Sequence, residues 1–415
     1  MKVSFIGLGY IGLPTAVIAS SKIDDVIGID VNDSIINKIN SGKVHIVEPG
    51  IEAMLEKAIQ KGFKAKKYPE KSDIFVITVP TPIRDDFSPD LSFIESAITS
   101  ISGLLKKGDL IILESTSPVG TTEKIANQVM SLRPDLKIPF YGEESSSHDI
   151  FFAYCPERVL PGHAIDEITN NDRIIGGMTA ECSNKARNFY SLFVKGELYL
   201  ADSRTAELSK LVENSFRDVN IAFANELSLI CHKLGVNVWQ LINLANKHPR
   251  VNILQPGPGV GGHCIAVDPW FIVHSAKEES RLVKTAREVN DFKPNFVLER
   301  VNEAIKRINK KTNQISIACL GLAFKKDIDD LRESPAVHIV NEISKLDFKE
   351  IFVVEPNISN LPELLMKENI TMSNIYDAID QSSIVLLLVD HNSFVTYDKN
   401  LIKDKMVIDT RGIWS

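Results

Sequence analysis

The chain reads as an α/β protein with two doubly wound parallel sheets joined by a long central helix in a helical middle. Three observations predict this. Short apolar runs alternate with helical segments over the first two hundred residues; an unbroken helical pattern fills Ala206 to Leu234; and four more apolar runs return from Ile315 onward. Strands alternating with helices build a parallel sheet covered on both faces.

Val3 to Ile6 is the first strand, followed by a glycine-rich turn and a helix through about Ser20. Val26 to Asp30 is the second, and Asp33 is placed to cap a helix running to Asn40. Ile74 to Val79, Leu110 to Leu113 and Phe151 to Ala153 are further buried strands, and the alternation continues to about Leu200. Ala206 to Leu234 has no Gly or Pro and carries Leu208, Leu211, Val212, Phe216, Val219, Phe223 and Leu227 at helical spacing, which predicts one helix ending at Gly235. Such a helix connects two α/β units; its apolar face is either buried within the subunit or covered by a second copy, as in a homodimer. Trp239 to Ala245 continues the helical region. After the Pro294 region, Ile315 to Leu320, Ile351 to Val354, Ile384 to Val389 and Met406 to Asp409 are the strands of a second α/β unit. The expected domains are 1–203, 204–300 and 301–415.

A chain of 415 residues exceeds one ordinary core, and 24% charged with 44% apolar residues is ordinary for a globular protein. A net charge of −7 argues against a nucleic-acid surface. Five cysteines, an odd number without a CxxC pair, fit a reducing compartment. Met1-Lys2 leads straight into a strand with no leader pattern, and Ile384 to Val389 is too short to span a bilayer. A cytoplasmic location, no membrane partner and no metal are expected.

Gly7-Leu8-Gly9-Tyr10-Ile11-Gly12 follows the first strand and opens a helix. Gly7 permits the tight turn, Gly9 lets a pyrophosphate approach the main chain, and Gly12 allows close packing of helix on strand. Free N–H groups at the helix start then face the phosphates. Asp30, eighteen residues after Gly12, ends the second strand, where a carboxylate accepts from ribose hydroxyls and repels a 2′-phosphate. This predicts a Rossmann-like domain binding NAD rather than NADP.

A second loop concentrates chemistry. Six of the seven residues from Pro256 to Gly262 are Gly or Pro, and the run ends in His263-Cys264, with Asp268-Pro269-Trp270 beyond. Such a backbone forms neither helix nor strand and admits a ligand close to the main chain. Cys264 is the candidate nucleophile; the alternative is a buried packing thiol. Cys155, Cys182, Cys231 and Cys319 lie in apolar or helical surroundings and read as packing residues.

The ordered motifs resemble the UDP-glucose/GDP-mannose dehydrogenases, NAD-dependent enzymes that oxidise a nucleotide sugar at C6. The resemblance spans nearly the whole chain. After the glycine fingerprint it runs through Glu48-Pro49-Gly50, Val79-Pro80-Thr81-Pro82, Glu114-Ser115-Thr116-Ser117-Pro118-Val119-Gly120, Cys155-Pro156-Glu157-Arg158 and Lys210-Leu211-Val212-Glu213-Asn214. It continues through the Cys264 loop to Gly321-Leu322-Ala323-Phe324-Lys325-Lys326-Asp327 and Arg332-Glu333-Ser334. Within the family, His263-Cys264-Ile265-Ala266-Val267-Asp268-Pro269 and Pro156-Glu157-Arg158-Val159-Leu160-Pro161-Gly162 are similar to the branch acting on UDP-N-acetylhexosamines. The expected substrate is UDP-N-acetyl-D-mannosamine, oxidised to its uronate for surface polysaccharides. The alternatives are UDP-N-acetylglucosamine or another UDP-hexose, a two-electron hydroxyacid dehydrogenase, and a non-catalytic nucleotide-sugar binder.

The resemblance implies roles. Cys264 forms a thiohemiacetal and then a thioester. Lys210 and Asn214, four apart on one helix face, stabilise a developing oxyanion. Asp268, Glu157 and Thr116 lie near the reacting water and the cofactor. The cofactor falls to Gly7, Gly9, Tyr10, Ile11, Gly12, Asp30, Thr81, Thr116 and Arg332. The substrate falls to Arg158, Val159, Leu160, Lys210, Asn214, Gly261, Phe324 and Lys325, with Arg250 reaching a neighbouring subunit's substrate. Two departures matter. The second acid expected shortly after Glu157 is replaced by Pro161, leaving Glu157 or Asp268 as the base, and Ile35 stands where relatives often carry Arg.

Overall fold

The apolar runs of the first two hundred residues become strands β1 (Lys2–Ile6), β2 (Asp25–Ile29), β3 (Lys64–Lys66), β4 (Ile74–Ile77), β5 (Leu110–Leu113), β6 (Phe151–Tyr154), β7 (Arg173–Gly177) and β8 (Leu198–Asp202). This is a computed structural model that describes residues 1–143, 147–159, 162–262 and 264–414. By its internal contacts the chain divides into two units, Met1–Glu213 with Trp270–Lys277 and Asn214–Pro269 with Glu278–Ser415.

In the first unit the sheet order is β3-β2-β1-β4-β5-β6-β7-β8. Its central strands are buried along their whole length, as a sheet covered on both faces requires. The expected all-parallel sheet needs one correction: β7 runs antiparallel to β6, with Ala153 opposite Gly177 and Tyr154 opposite Gly176. The first residue of β7, Arg173, is therefore delivered to the edge where β5 and β6 end. The helix after β2 starts at Asp33, but its cap is Asn32, whose side chain accepts from the Ser34 N–H at 2.9 Å.

In the second unit β9 (Ser316–Leu320), β10 (Glu350–Val354), β11 (Ile370–Met372), β12 (Ile384–Leu387) and β13 (Met406–Asp409) form a parallel sheet of order β11-β10-β9-β12-β13. Alternate residues serve opposite cores. Ile317, Cys319, Ile351, Val353, Ile384 and Leu386 pack on one face, and Ala318, Leu320, Phe352, Val354, Val385 and Leu387 on the other.

The long helix is Ser203–Leu234, three residues earlier than expected at its start, and Gly235 follows it with φ +68. A second long helix, Arg281–Ile308, contains Pro294 in its interior, and the boundary expected at 300 falls inside it. Proline removes one main-chain donor and ordinarily breaks a helix. Here the helix is tied along its length: Arg287 donates to Asp218 at 2.6 Å, Asn290 to Asp218 at 2.8 Å, and Lys293 to Ser228 at 2.6 Å. Among the described residues no helix is long and apolar enough to cross a membrane.

Candidate active site

At the end of β1 the Gly7 N–H donates to the Ile29 carbonyl at 2.8 Å, and the chain turns with φ +96. A Cβ at Gly7 would lie 2.8 Å from the Thr78 carbonyl oxygen, and one at Gly12 would lie 1.9 Å from the Gly7 oxygen. A Cβ at Gly9 would meet nothing within 4 Å. Two glycines are thus demanded by the protein itself, and the third leaves an open side. The helix Gly12–Ser20 has no side-chain cap; the Leu13 N–H is taken by the Gly9 carbonyl at 3.2 Å and Pro14 has none, so an anion there would meet the positive end of the helix and the loop before it. Half-buried Asp30 accepts from the Leu8 N–H at 3.0 Å and the Asn32 N–H at 2.9 Å, which fixes its carboxylate against the loop. These residues fit a dinucleotide with an unphosphorylated ribose. Tyr10 is exposed and Ile11 partly so beside them.

The loops after β4 and β5 are joined by the Thr81 hydroxyl, which donates to the Thr116 carbonyl at 2.6 Å. The Thr116 loop is held from its far end by buried Glu207, which accepts from the Gly120 N–H at 2.6 Å and the Thr122 N–H at 2.8 Å. Glu207 lies one helical turn before half-buried Lys210 on Ser203–Leu234, so one carboxylate links the Thr116 loop to the helix that carries Lys210 and Asn214.

Glu157 is buried just past β6. It accepts from the Arg158 N–H at 2.7 Å and pairs with Arg173 at 3.2 Å. Arg173 also reaches Glu114 at 2.5 Å, and the Tyr190 hydroxyl donates to the same Glu114 oxygen. Arg158 pairs with Glu213 at 2.8 Å and donates to the Asp172 carbonyl at 2.6 Å; Val159 beside it is partly exposed. Leu160 and Pro161 lie outside the described residues.

In the second unit the glycine loop has its own physical reason. A Cβ at Gly261 would lie 2.6 Å from the Glu333 oxygen and 2.8 Å from the Phe324 Cβ, and one at Gly257 would lie 2.5 Å from the Arg411 guanidinium. The loop lies main chain against main chain on the 324–335 segment, with the Gly262 N–H donating to the Arg332 carbonyl at 3.3 Å. The Cys264 carbonyl accepts from the N–H groups of Val267 and Asp268, turning the chain into the helix Asp268–Ser275. Asp268 is buried and accepts from the Asn214 side-chain amide at 2.5 Å. Cys264 is half-buried, whereas the other four cysteines are buried; burial pushes the Cys155 and Cys319 thiols up to about 12. His263 lies outside the described residues.

Phe324 and Lys325 line a pocket with Pro258, Gly259, Asp390 and Arg411. Their loop is braced by buried Glu355, which accepts from the N–H groups of Leu322 at 2.7 Å and Ala323 at 3.0 Å and from His391 at 2.9 Å. The other nitrogen of His391 accepts from the Asp327 N–H at 2.9 Å. Arg332 is exposed and paired with Asp330 at 2.6 Å, and Arg250 is exposed. The sequence reading missed Arg173, Tyr190, Glu207, Glu355, His391 and Arg411, and it quoted Glu114 without a role. Glu114, Arg173, Glu355, His391 and Arg411 share one signal, a charged or polar residue at or near the end of an apolar run, whereas Tyr190 and Glu207 lie on helices.

Three family models, the NAD binding, central and UDP binding domains of the UDP-glucose/GDP-mannose dehydrogenase family, match residues 1–194, 204–292 and 318–415. The chain is 54% identical over 415 residues to an NDP-N-acetyl-D-galactosaminuronic acid dehydrogenase of Ralstonia nicotianae, covering 100% of this chain and 96% of that one. It is 55% identical over 397 residues to a UDP-N-acetyl-D-mannosamine dehydrogenase of Campylobacter jejuni, covering 95% and 96%. A solved UDP-D-ManNAc dehydrogenase from Pyrococcus horikoshii superposes with a TM-score of 0.86 at 38% identity, covering 100% and 96%. The chain belongs to the UDP-glucose/GDP-mannose dehydrogenase family and is an NAD-dependent oxidoreductase.

Proposed function

We propose that the protein oxidises UDP-N-acetyl-D-mannosamine at C6 to UDP-N-acetyl-D-mannosaminuronate, in two steps that consume two NAD and one water. The carrying observation is Cys264. It is the one cysteine of five that is not buried, and it ends a loop in which a Cβ at Gly257, Gly259 or Gly261 would lie under 3 Å from a neighbour.

Both hydrides leave C6 for a nicotinamide ring, one for each NAD. The chain's own residues do the rest. The Cys264 thiolate adds to the aldehyde, giving a thiohemiacetal; loss of the second hydride gives a thioester, which water cleaves to the acid. Lys210 and the Asn214 amide stabilise the negative oxygen at each tetrahedral stage. Asp268, held by Asn214, orients the water, while Glu157 takes the proton from the sugar hydroxyl and Thr116 borders the cofactor. Gly7, Gly9, Tyr10, Ile11, Gly12, Asp30, Thr81 and Arg332 hold NAD. Arg158, Val159, Leu160, Gly261, Phe324 and Lys325 hold the UDP-sugar, with Arg411 added from the pocket lining.

The domain limits expected from sequence, 1–203, 204–300 and 301–415, remain our division by role. We assign a homodimer through the helix Ser203–Leu234, because Phe216, Phe223 and Leu234 are 68%, 53% and 69% exposed in the single chain. Arg250 then serves the neighbour's substrate. Five thiols without a disulfide support a cytoplasmic reaction, and an activated uronic acid suits surface polysaccharide assembly.

The test offers the purified protein NAD with each UDP-sugar and counts NADH. Two NADH per UDP-N-acetylmannosamine are expected, and Cys264→Ala should lose uronate formation. The Ralstonia relative gives the galacto epimer a specific claim as the second reading. Faster turnover of that epimer would establish it. Equal turnover of UDP-glucose, which lacks the acetamido group, would remove the branch assignment altogether.

A further inference from the structure

We propose that Asn225 is a positioning residue for the Cys264 nucleophile: its side-chain oxygen pins the entrance of the glycine loop, and the buried Arg287–Asp218 pair, acting through Asn290, keeps that oxygen turned toward the loop. This rests on the reading of Cys264 as the thiol that captures the aldehyde. A run of Gly and Pro offers few side chains by which its place is fixed, so its main-chain groups must be held instead. Pro256 and Pro258 have no N–H, which leaves Gly257 as the one main-chain donor of these three residues. That N–H is buried and donates to Asn225 Oδ1 at 2.9 Å. At the far end of the run the Gly262 N–H donates to the Arg332 carbonyl, and Cys264 follows two residues on.

The direction of the Asn225 amide is set from a distance. Asp218 and Asn225 lie two turns apart on the helix Ser203–Leu234, and both meet the helix Arg281–Ile308. Arg287 at 2.6 Å and Asn290 Nδ2 at 2.8 Å donate to the same Asp218 oxygen, and Asn290 Nδ2 also reaches the Asp218 carbonyl at 3.0 Å. With its N–H groups drawn to these acceptors, Asn290 turns its own oxygen to Asn225 and accepts from Nδ2 at 2.8 Å. Asn225 is thereby left with its oxygen for Gly257. Turning over either amide would set oxygen against oxygen and N–H against N–H, in a site where Asp218, Asn225, Arg287 and Asn290 are all buried. The same helix meets the loop again one turn beyond Asn290: a Cβ at Gly259 would lie 3.4 Å from Pro294 Cδ and 2.9 Å from Pro335 Cβ. The loop is thus crowded at its middle and held by a directed hydrogen bond at its start.

Loosening the start of the loop lets Cys264 miss the aldehyde, whereas the first hydride transfer, which needs no thiol, goes on. The count of NADH per UDP-sugar consumed, with semicarbazide present to trap free aldehyde, reads that division and does not depend on how much of a sample is active. The wild type should give two NADH and no semicarbazone. Asn225→Ala should capture the aldehyde about 10-fold more slowly, so that the count falls towards one and the semicarbazone of the UDP-sugar aldehyde is found by mass spectrometry. Asn290→Leu leaves Asn225 in place but removes what orients it, and should fall between the two; it carries the test if the alanine variant does not fold. Lys293→Met cuts the Lys293–Ser228 bond, which joins the same two helices, and leaves the Asn225 chain intact, so it should keep two NADH. Two NADH without semicarbazone in both asparagine variants, or an equal fall in Lys293→Met, would overturn the positioning role. Cys264→Ala separates the two failures: it should give one NADH and the trapped aldehyde, and if it still gives two, Cys264 captures no aldehyde and the reading beneath the proposal is lost.

Discussion

The two sheets of this protein repeat one corner and use it differently. At the end of β1, Gly7 donates to Ile29 at 2.8 Å with φ +96; at the end of β9, Gly321 donates to Val354 at 2.8 Å with φ +94. An acid follows the neighbouring strand in both, Asp30 after β2 and Glu355 after β10, and each accepts from main-chain N–H groups just past the glycine. The difference is in what else the carboxylate holds. Asp30 is half-buried and its partners in the loop and turn leave acceptor capacity for ribose hydroxyls. Glu355 is 2% exposed and is filled by Leu322, Ala323, Asn357 and His391. Position in the fold does not decide whether an acid at this corner meets a ligand. Whether its lone pairs are already taken decides it.

Breaking the filled corner should have the largest effect. Glu355→Ala leaves the Leu322 and Ala323 N–H groups and His391 without their acceptor in a dry site, and should cost about 3–5 kcal/mol in chemical denaturation. Burial pushes the Glu355 carboxyl up, but the hydrogen bonds from His391, Leu322 and Ala323 outweigh it and hold the group below its ordinary 4.5. A depressed carboxyl stabilises the fold above its unfolded value and loses that contribution as pH falls through the folded one. The stability of Glu355→Gln should therefore fall less steeply than that of the wild type below about pH 4.5. Parallel acid limbs would show that Glu355 is no brace.

The open corner should respond in binding. Asp30→Ala removes the acceptors we assign to an NAD ribose, and the KM for NAD should rise about 10- to 100-fold while that for the UDP-sugar holds steady. Matched increases in both would mean that Asp30 serves only the loop, as Glu355 does.

How much of this was legible beforehand follows from the kind of signal each residue carries. The strand Leu110 to Leu113 was placed to the residue because burial on both faces writes itself as consecutive apolar side chains. β3 has a single apolar residue between two lysines, and β8 has exposed Tyr199 and Leu200, so neither stands out. Pro294 read as an end because local preference says so, whereas tertiary ties to Asp218 and Ser228 carry the helix through it. The glycine loops and the Cys264 run were visible because main-chain crowding demands glycine. Arg173 and Glu114 were not, because their meeting depends on the antiparallel direction of β7, which no local pattern encodes.

The smallest expected effect is also the one that separates the corners most cleanly. Asn32 and Ser334 both cap the helix that follows a loop held by the corner. Asn32 is exposed and its side chain accepts from the Ser34 N–H at 2.9 Å, so Asn32→Ala should cost about 1 kcal/mol. Ser334 is buried, accepts from Ala336 at 3.2 Å and donates to the Leu322 carbonyl at 2.6 Å, so Ser334→Ala should cost about 2 kcal/mol. Leu322 is thus gripped at both ends of its own residue, its N–H by Glu355 and its carbonyl by Ser334. Losing one grip lets the segment relax and weakens the other. A double-mutant cycle of Ser334→Ala with Glu355→Gln should therefore show a coupling above about 0.5 kcal/mol. The cycle of Asn32→Ala with Asp30→Asn should show almost none, because Asp30 accepts from the Asn32 main chain, which alanine keeps. Equal couplings would erase the distinction between a corner that closes on itself and one that waits for a ribose.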